Sequence, residues 1–242
     1  MSIQVKTAMV LAAGRGERLR PITDRIPKPL VPLGGRTLID HAIDRLETAG
    51  VERVVVNVHY LGDQIVAQLK QRSSPEIVIS REPSLLETGG GVVNALPLLG
   101  SEPFFAVNAD SYWLDGTVSA LGRLAAAFDP ATTDAVLLLQ RTVSAVGYDH
   151  EEGDFMLDPL GIPARRGESE IAPYLFAGIQ LLSPKLFMDP PAAAFSLNRI
   201  YDAALEAGRL RAVVHDGEWY HVSTPDGLAL VEARLELRRT EH

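Results

Sequence analysis

The sequence has no cysteine, which excludes disulfide staples, thiolate metal sites and thiol nucleophiles, and nothing in it calls for an oxidising compartment. It also lacks an excess of basic charge. Lys plus Arg number 23 against 31 Asp plus Glu, a formal net charge of −8, which argues against attraction to nucleic acid or an anionic membrane through overall charge. A local basic pocket for a small anion is still allowed. No long hydrophobic run stands near the N-terminus: the apolar stretch 8–13 is far too short to cross a bilayer and runs straight into Gly14-Arg15-Gly16-Glu17-Arg18. Linkers, charge blocks and internal repeats are missing too. These absences predict a soluble, cytoplasmic protein that binds neither nucleic acid nor membrane.

What is present is ordinary globular composition in 242 residues, long enough to bury a core, with 46% hydrophobic and 22% charged residues. Two periodicities alternate through the first 140 residues, which is the pattern of β-α units wound onto a mostly parallel sheet. Nearly all-apolar runs predict strands over 5–11, 53–58, 76–80, 104–108 and 134–140, because helices covering both sheet faces leave no polar side. Amphipathic stretches predict helices from about Thr37 to a cap at Gly50, and over 62–71, 90–98 and 118–128. The pattern changes after Arg141. Gly161, Pro159 and Pro163 predict a hairpin or irregular insertion over 154–166. Strands follow over 173–182, 211–215 and 219–222, with helices over 197–207 and from Pro225 to Arg239. The expected fold class is α/β, one domain over 1–242, with a nucleotide-binding portion (1–141) and a smaller substrate-side lobe (142–242) on a common sheet.

The loop after the first strand carries the chemistry. Glycines let backbone N–H groups approach phosphate oxygens, since no Cβ stands in the way. Two familiar phosphate loops do not fit. The dinucleotide fingerprint wants a third glycine where Leu19 stands, and the Walker A loop wants Gly-Lys-Ser/Thr, a tripeptide the chain does not contain. What remains is Gly14 and Gly16 with Arg15 and Arg18 among them, and Lys28 held between Pro27 and Pro29, which restrict where the ammonium can go.

The run LAAGRGERLRPITDRIPKPLVP resembles the signature of sugar-1-phosphate nucleotidyltransferases at every specified position. Leu86-Glu87-Thr88-Gly89-Gly90-Gly91, Asn108-Ala109-Asp110, Gly153-Asp154-Phe155 and Trp219-Tyr220-His221-Val222-Ser223-Thr224 extend the likeness. Within the family it is similar to the short bacterial N-acetylmuramate α-1-phosphate uridylyltransferases of cell-wall recycling. The resemblance implies a Rossmann-like nucleotidyltransferase fold and a reaction in which a sugar 1-phosphate attacks the α-phosphorus of a nucleoside triphosphate, releasing pyrophosphate. It implies roles residue by residue. Ala13, Gly14, Arg15 and Gly16 cradle the nucleotide, and Arg18 serves the leaving β- and γ-phosphates. Lys28 serves the α-phosphate and the incoming phosphate. Glu82 and Gly89 face the base, Asn108 and Asp154 contact the sugar phosphate, and Asp110 ligates Mg2+. Arg199 either meets a sugar carboxylate or faces solvent.

One position departs from the family, which usually has an aspartate and then a glycine where this chain has His221 and Ser223. Imidazole is a poor magnesium ligand and removes one negative charge. Three readings follow: a one-carboxylate Mg2+ site, a site biased toward Mn2+, or a sensor that binds nucleotide sugars without making them. The leading expectation is UTP plus N-acetylmuramate 1-phosphate as substrates, with mannose-1-phosphate guanylyltransferase as the alternative and a monomer as the expected state.

Overall fold

The computed structural model describes residues 3–148, 152–191 and 194–240. The chain opens with β1 (Thr7–Leu11), and three single 3-10 turns, at Glu17–Leu19, Ile22–Asp24 and Lys28–Leu30, fold the glycine loop back on itself. A two-residue ribbon of β2 (Pro32–Leu33) and β3 (Arg36–Thr37) leads into α1 (Leu38–Thr48). Thr37 caps that helix, its hydroxyl oxygen accepting from the Asp40 N–H at 3.2 Å. Next come β4 (Arg53–Val58), α2 (Gly62–Leu69), β5 (Glu76–Arg81), α3 (Glu87–Leu99) and β6 (Phe104–Asn108). The rest is β7 (Ser111–Leu114), α4 (Ala120–Ala127), β8 (Ala135–Arg141), β9 (Phe155–Leu157), β10 (Pro163–Arg165), β11 (Tyr174–Leu182), α5 (Asn198–Glu206), β12 (Leu210–Val214), β13 (Glu218–His221) and α6 (Pro225–Thr240).

Nine strands form one mixed, mostly parallel sheet. Its long path runs β10-β9-β11-β6-β1-β4-β5, with β8 on the other edge of β11 and β12 beyond β8. The pairs β1·β4, β1·β6, β4·β5 and β8·β12 are parallel, whereas β11 runs antiparallel to both β6 and β8. β11, from beyond the change of pattern at Arg141, thus inserts between β6 and β8, and the hairpin expected over 154–166 is β9 and β10. The central strands are mostly apolar because both faces are covered: α1, α2 and α4 help build one core cluster with Val54, Val56 and Val107, and α3 and α5 the other with Val55 and Ala106.

Three expectations need correction. The strand expected over 219–222 does form, but as β13 it leaves the main sheet and pairs antiparallel with β7, a strand the periodicity does not reveal. The β2/β3 ribbon is likewise unforeseen. The third concerns α3, expected over 90–98, which begins three residues earlier at Glu87, so Gly89 is helical as well. A distant carbonyl makes this possible, since Phe195 O accepts from the N–H groups of both Gly89 (2.8 Å) and Gly90 (3.2 Å) and caps the helix from outside.

Candidate active site

A cavity of about 600 Å³ opens at the C-terminal ends of β1 and β6, beside the crossover where open α/β sheets bind their ligands. One wall is the glycine loop (Ala12, Ala13, Gly14, Gly16, Glu17 and Arg18), and the floor is Lys28, Asn108, Ala109 and Asp110. Leu85, Glu87, Thr88 and Ser196 form the opposite wall.

The loop is held by its own motif. Gly16 has φ +64°, and a Cβ there would lie 3.0 Å from both Lys28 Cβ and Thr23 Cγ2, so only glycine lets the loop close on the lysine. The Thr23 hydroxyl donates to Gly16 O at 2.8 Å, Tyr60 donates to Thr23 O at 2.9 Å, and Leu19 anchors the turn in the core. At Gly14 an added Cβ would meet open space, so its backbone is presented to the cavity. Arg18 stands exposed at the mouth. Arg15 does not line the cavity: its guanidinium lies at the surface, 3.9 Å from Glu17.

Lys28 and Asp110 meet on the floor. Lys28 Nζ donates to Asp110 Oδ2 at 2.6 Å, with the lysine side chain 12% exposed and the aspartate 29%. Burial pushes the Asp110 carboxyl up, but the Lys28 ammonium and the nearby His221 outweigh it and hold the group below its ordinary value. His221 lies opposite Ser111 in the β7/β13 register, its ring packed against Trp219 and Tyr148. It reaches Asp110 electrostatically without lining the cavity. Among the described residues no group of three or more His, Asp or Glu gathers to hold a metal. Asn108 lines the cavity beside Gly178, whose φ of +74° marks the irregularity in β11 that lets the strand pass so close.

The other expected contacts lie elsewhere. Glu82 sits behind the wall, with Oε1 accepting from Asn57 (2.6 Å) and Oε2 from the Leu86 N–H (3.1 Å), so each oxygen has one partner within the protein. Gly89 faces away from the cavity, where a Cβ would lie 2.3 Å from the Phe195 ring, so it is small to admit that ring. Asp154 clasps β11: its carboxylate accepts from the Phe176 N–H at 2.8 Å and its own N–H donates to Tyr174 O at 2.7 Å. Arg199 is exposed on the first turn of α5.

The MobA-like NTP transferase domain family matches residues 8–214, which takes in the glycine loop, Lys28 and Asp110. The chain belongs to this family. It is a nucleotidyltransferase with full-length relatives. It is 42% identical to the N-acetylmuramate alpha-1-phosphate uridylyltransferase of Caulobacter vibrioides over 97% of this chain and 99% of that one. To the enzyme of the same name from Neisseria meningitidis it is 33% identical, over 90% and 93%. Among solved structures, a UDP-glucose pyrophosphorylase from Acinetobacter baumanii superposes with a TM-score of 0.80 at 16% identity, over 97% of this chain and 94% of that one, a likeness of fold.

Sequence reasoning overlooked several residues of this nucleotidyltransferase. Asn57 and Ser196 line the cavity, and isolated polar residues of this kind carry no spacing signal. Glu87, quoted above only as part of a motif, lines it too, from a left-handed backbone (φ +59°) at the start of α3. Ser223, noted only as a departure, also lines the cavity, and its hydroxyl is buried without a hydrogen-bond partner among the described residues.

Proposed function

We propose that this nucleotidyltransferase joins UTP to N-acetylmuramate 1-phosphate, giving UDP-N-acetylmuramate and pyrophosphate in the cytoplasm. The observation that carries the site is the Lys28–Asp110 pair on the floor of the glycine-loop cavity. A cation and an anion there can separate, one toward phosphate and the other toward a metal. Full-length likeness to two uridylyltransferases of that substrate supports the base and the sugar.

A sugar phosphate is already an anionic nucleophile, so the chemistry needs alignment and charge neutralisation rather than a strong base. A phosphate oxygen of the sugar attacks the α-phosphorus, the new O–P bond forms in line with the bond to the β-phosphate oxygen, and pyrophosphate leaves with the electrons of the broken bond. The Gly14 backbone and its neighbours receive the triphosphate. Arg18, long and free to swing at the mouth, neutralises the departing β- and γ-phosphates. Lys28 turns from Asp110 to the α-phosphate and the incoming oxygen, easing the repulsion between two anions. Asn108 orients the sugar phosphate.

Asp110 is suited to a hard divalent cation, being a part-exposed carboxylate already held in its charged form. With a single carboxylate and an imidazole nearby, Mg2+ would be held by Asp110 and completed by triphosphate oxygens and water, with His221 acting through water; Mn2+ suits the imidazole better. The ion supplies further neutralisation of the triphosphate.

A pyrophosphate-release panel crossing the four nucleoside triphosphates with several sugar 1-phosphates tests the reading. UTP with N-acetylmuramate 1-phosphate is expected to be fastest. Preference for GTP with mannose 1-phosphate would overturn the substrate choice, and binding without any pyrophosphate release would favour a sensor.

A further inference from the structure

One polar group beside the cavity has nothing to bond. Ser223 is 1% exposed, its hydroxyl has no hydrogen-bond partner among the described residues, and it lines the same cavity as Lys28, Asn108 and Asp110. A buried O–H without an acceptor destabilises the protein that carries it, so a hydroxyl kept in that condition at a ligand cavity calls for an acceptor that arrives with the ligand. Ser111, buried on the same β7/β13 ribbon, shows the contrast, since its hydroxyl donates to Ala177 O at 2.9 Å. The position of Ser223 is fixed on both sides. Before it, the His221 N–H donates to Val146 O at 2.8 Å and Val222 is fully buried. After it, Thr224 caps α6, its hydroxyl oxygen accepting from the Gly227 N–H at 3.0 Å and its carbonyl from the Leu228 N–H at 2.9 Å. Because β7 and β13 are antiparallel and end on the pair Ser111 and His221, Asp110 and Ser223 leave the same end of the ribbon.

We propose that the Ser223 hydroxyl donates a hydrogen bond to a phosphate oxygen at the reacting end of the cavity, on the α-phosphate of the nucleotide or on the phosphate of the sugar, and is a further catalytic residue of this nucleotidyltransferase. The acceptor follows from what the floor contains. In the free protein Lys28 and Asp110 close on one another, and the hydroxyl stays covered. When Lys28 turns to phosphate, the floor opens and an anionic oxygen arrives at the end of the ribbon where Ser223 is held. A hydrogen bond to a charged oxygen is roughly twice as strong as one between neutral groups, and a donor already fixed in place costs no reorganisation during transfer. The inference rests on the nucleotidyltransferase reading of the cavity but not on the choice of UTP or sugar.

Ser223→Ala separates this role from a structural one, because the two predict opposite changes in stability. Removing a hydroxyl that has no partner in the free protein leaves the melting temperature without substrates equal to wild type or raises it by up to about 4 °C, whereas removing a bonded one lowers it. The kinetic readouts are kcat and KM, followed by pyrophosphate release, for the nucleoside triphosphate and sugar 1-phosphate that the wild type turns over fastest. The variant is expected to lose about tenfold or more in kcat/KM, the scale of one hydrogen bond to a charged group, with its stability undiminished. A rise in the triphosphate KM assigns the bond to the α-phosphate, and a rise in the sugar 1-phosphate KM assigns it to the incoming phosphate. A fall in kcat with both KM values unchanged assigns it to the transition state alone. Kinetic constants all within about twofold of wild type would overturn the proposal, since the hydroxyl would then touch no substrate. A lower melting temperature would overturn it as well and return Ser223 to a structural bond, such as one to a buried water. A base preference other than uracil changes the substrate assignment and leaves this comparison valid, because it uses whichever pair is preferred.

Discussion

At the residue scale, the floor of the cavity is one short ion pair. Lys28 and Asp110 neutralise one another at 2.6 Å, and in the proposed reaction both change partners. Asp110→Asn is therefore expected to lower turnover by about two orders of magnitude or more, while in chelator the triphosphate binds at least as tightly as to wild type because Lys28 has been released. Titration calorimetry beside a turnover assay checks both halves. Turnover as a function of Mg2+ concentration adds a second expectation: His221→Ala is milder than Asp110→Asn, and His221→Asp strengthens magnesium binding by restoring a carboxylate. If His221→Ala is as damaging as losing Asp110 and His221→Asp gains nothing, imidazole ligation of another metal is the better account. These residues were legible because the motif fixes their spacing. The sequence does not show that Asn57 and Leu86 each bond one oxygen of the Glu82 carboxylate, nor that Phe195 fills the space above Gly89.

Among the elements, those with strong periodicity were readable and those defined by remote contacts were not. The parallel strands and α1, with its Thr37 cap and Gly50 stop, follow from local pattern. β7 is only four residues long and directly follows the Asn108-Ala109-Asp110 run, so nothing local separates it from a loop; its partner β13 lies about 100 residues away in the chain. α3 starts earlier than its local pattern shows, at Glu87 instead of position 90, with the Phe195 carbonyl capping its first turn. Gly89→Ala is expected to drive a methyl group into Phe195, costing about 1–3 kcal/mol, the scale of an overpacked core. It should also reduce turnover, because Thr88 and Ser196 on either side of that contact line the cavity. Thermal unfolding and a turnover assay on the same sample check it; an unchanged melting temperature would mean that the 194–197 segment does not brace α3.

For the whole molecule, β-α alternation predicted the winding of the first half, while the insertion of β11, antiparallel, between β6 and β8 was beyond local reading. A further link is His215, at the end of β12. Its Nε2 lies 3.2 Å from Leu114 O and 3.3 Å from Glu218 O, tying the main sheet to the β7/β13 ribbon, and Nδ1 is buried without a partner among the described residues. Burial holds the imidazole below its ordinary value of 6.5, against the opposing pull of Asp115. The unfolded chain then takes up a proton that the folded one resists, so this contribution to stability is complete above the ordinary value and declines as the pH falls below it. Between about pH 7.5 and pH 5 the melting temperature should fall more steeply for wild type than for His215→Gln, which keeps a donor without titrating; equal slopes would remove His215 from the account. The central claim, that the glycine-loop cavity handles the transferring phosphates, is tested most directly by the turnover numbers of Arg18→Ala and Lys28→Ala in pyrophosphate release, with circular dichroism confirming that each variant is folded. A loss of about two orders of magnitude or more in each is expected, the scale of a missing preorganised donor. Near-normal turnover in either folded variant would contradict the role assigned to that side chain, and in both it would place the chemistry somewhere else.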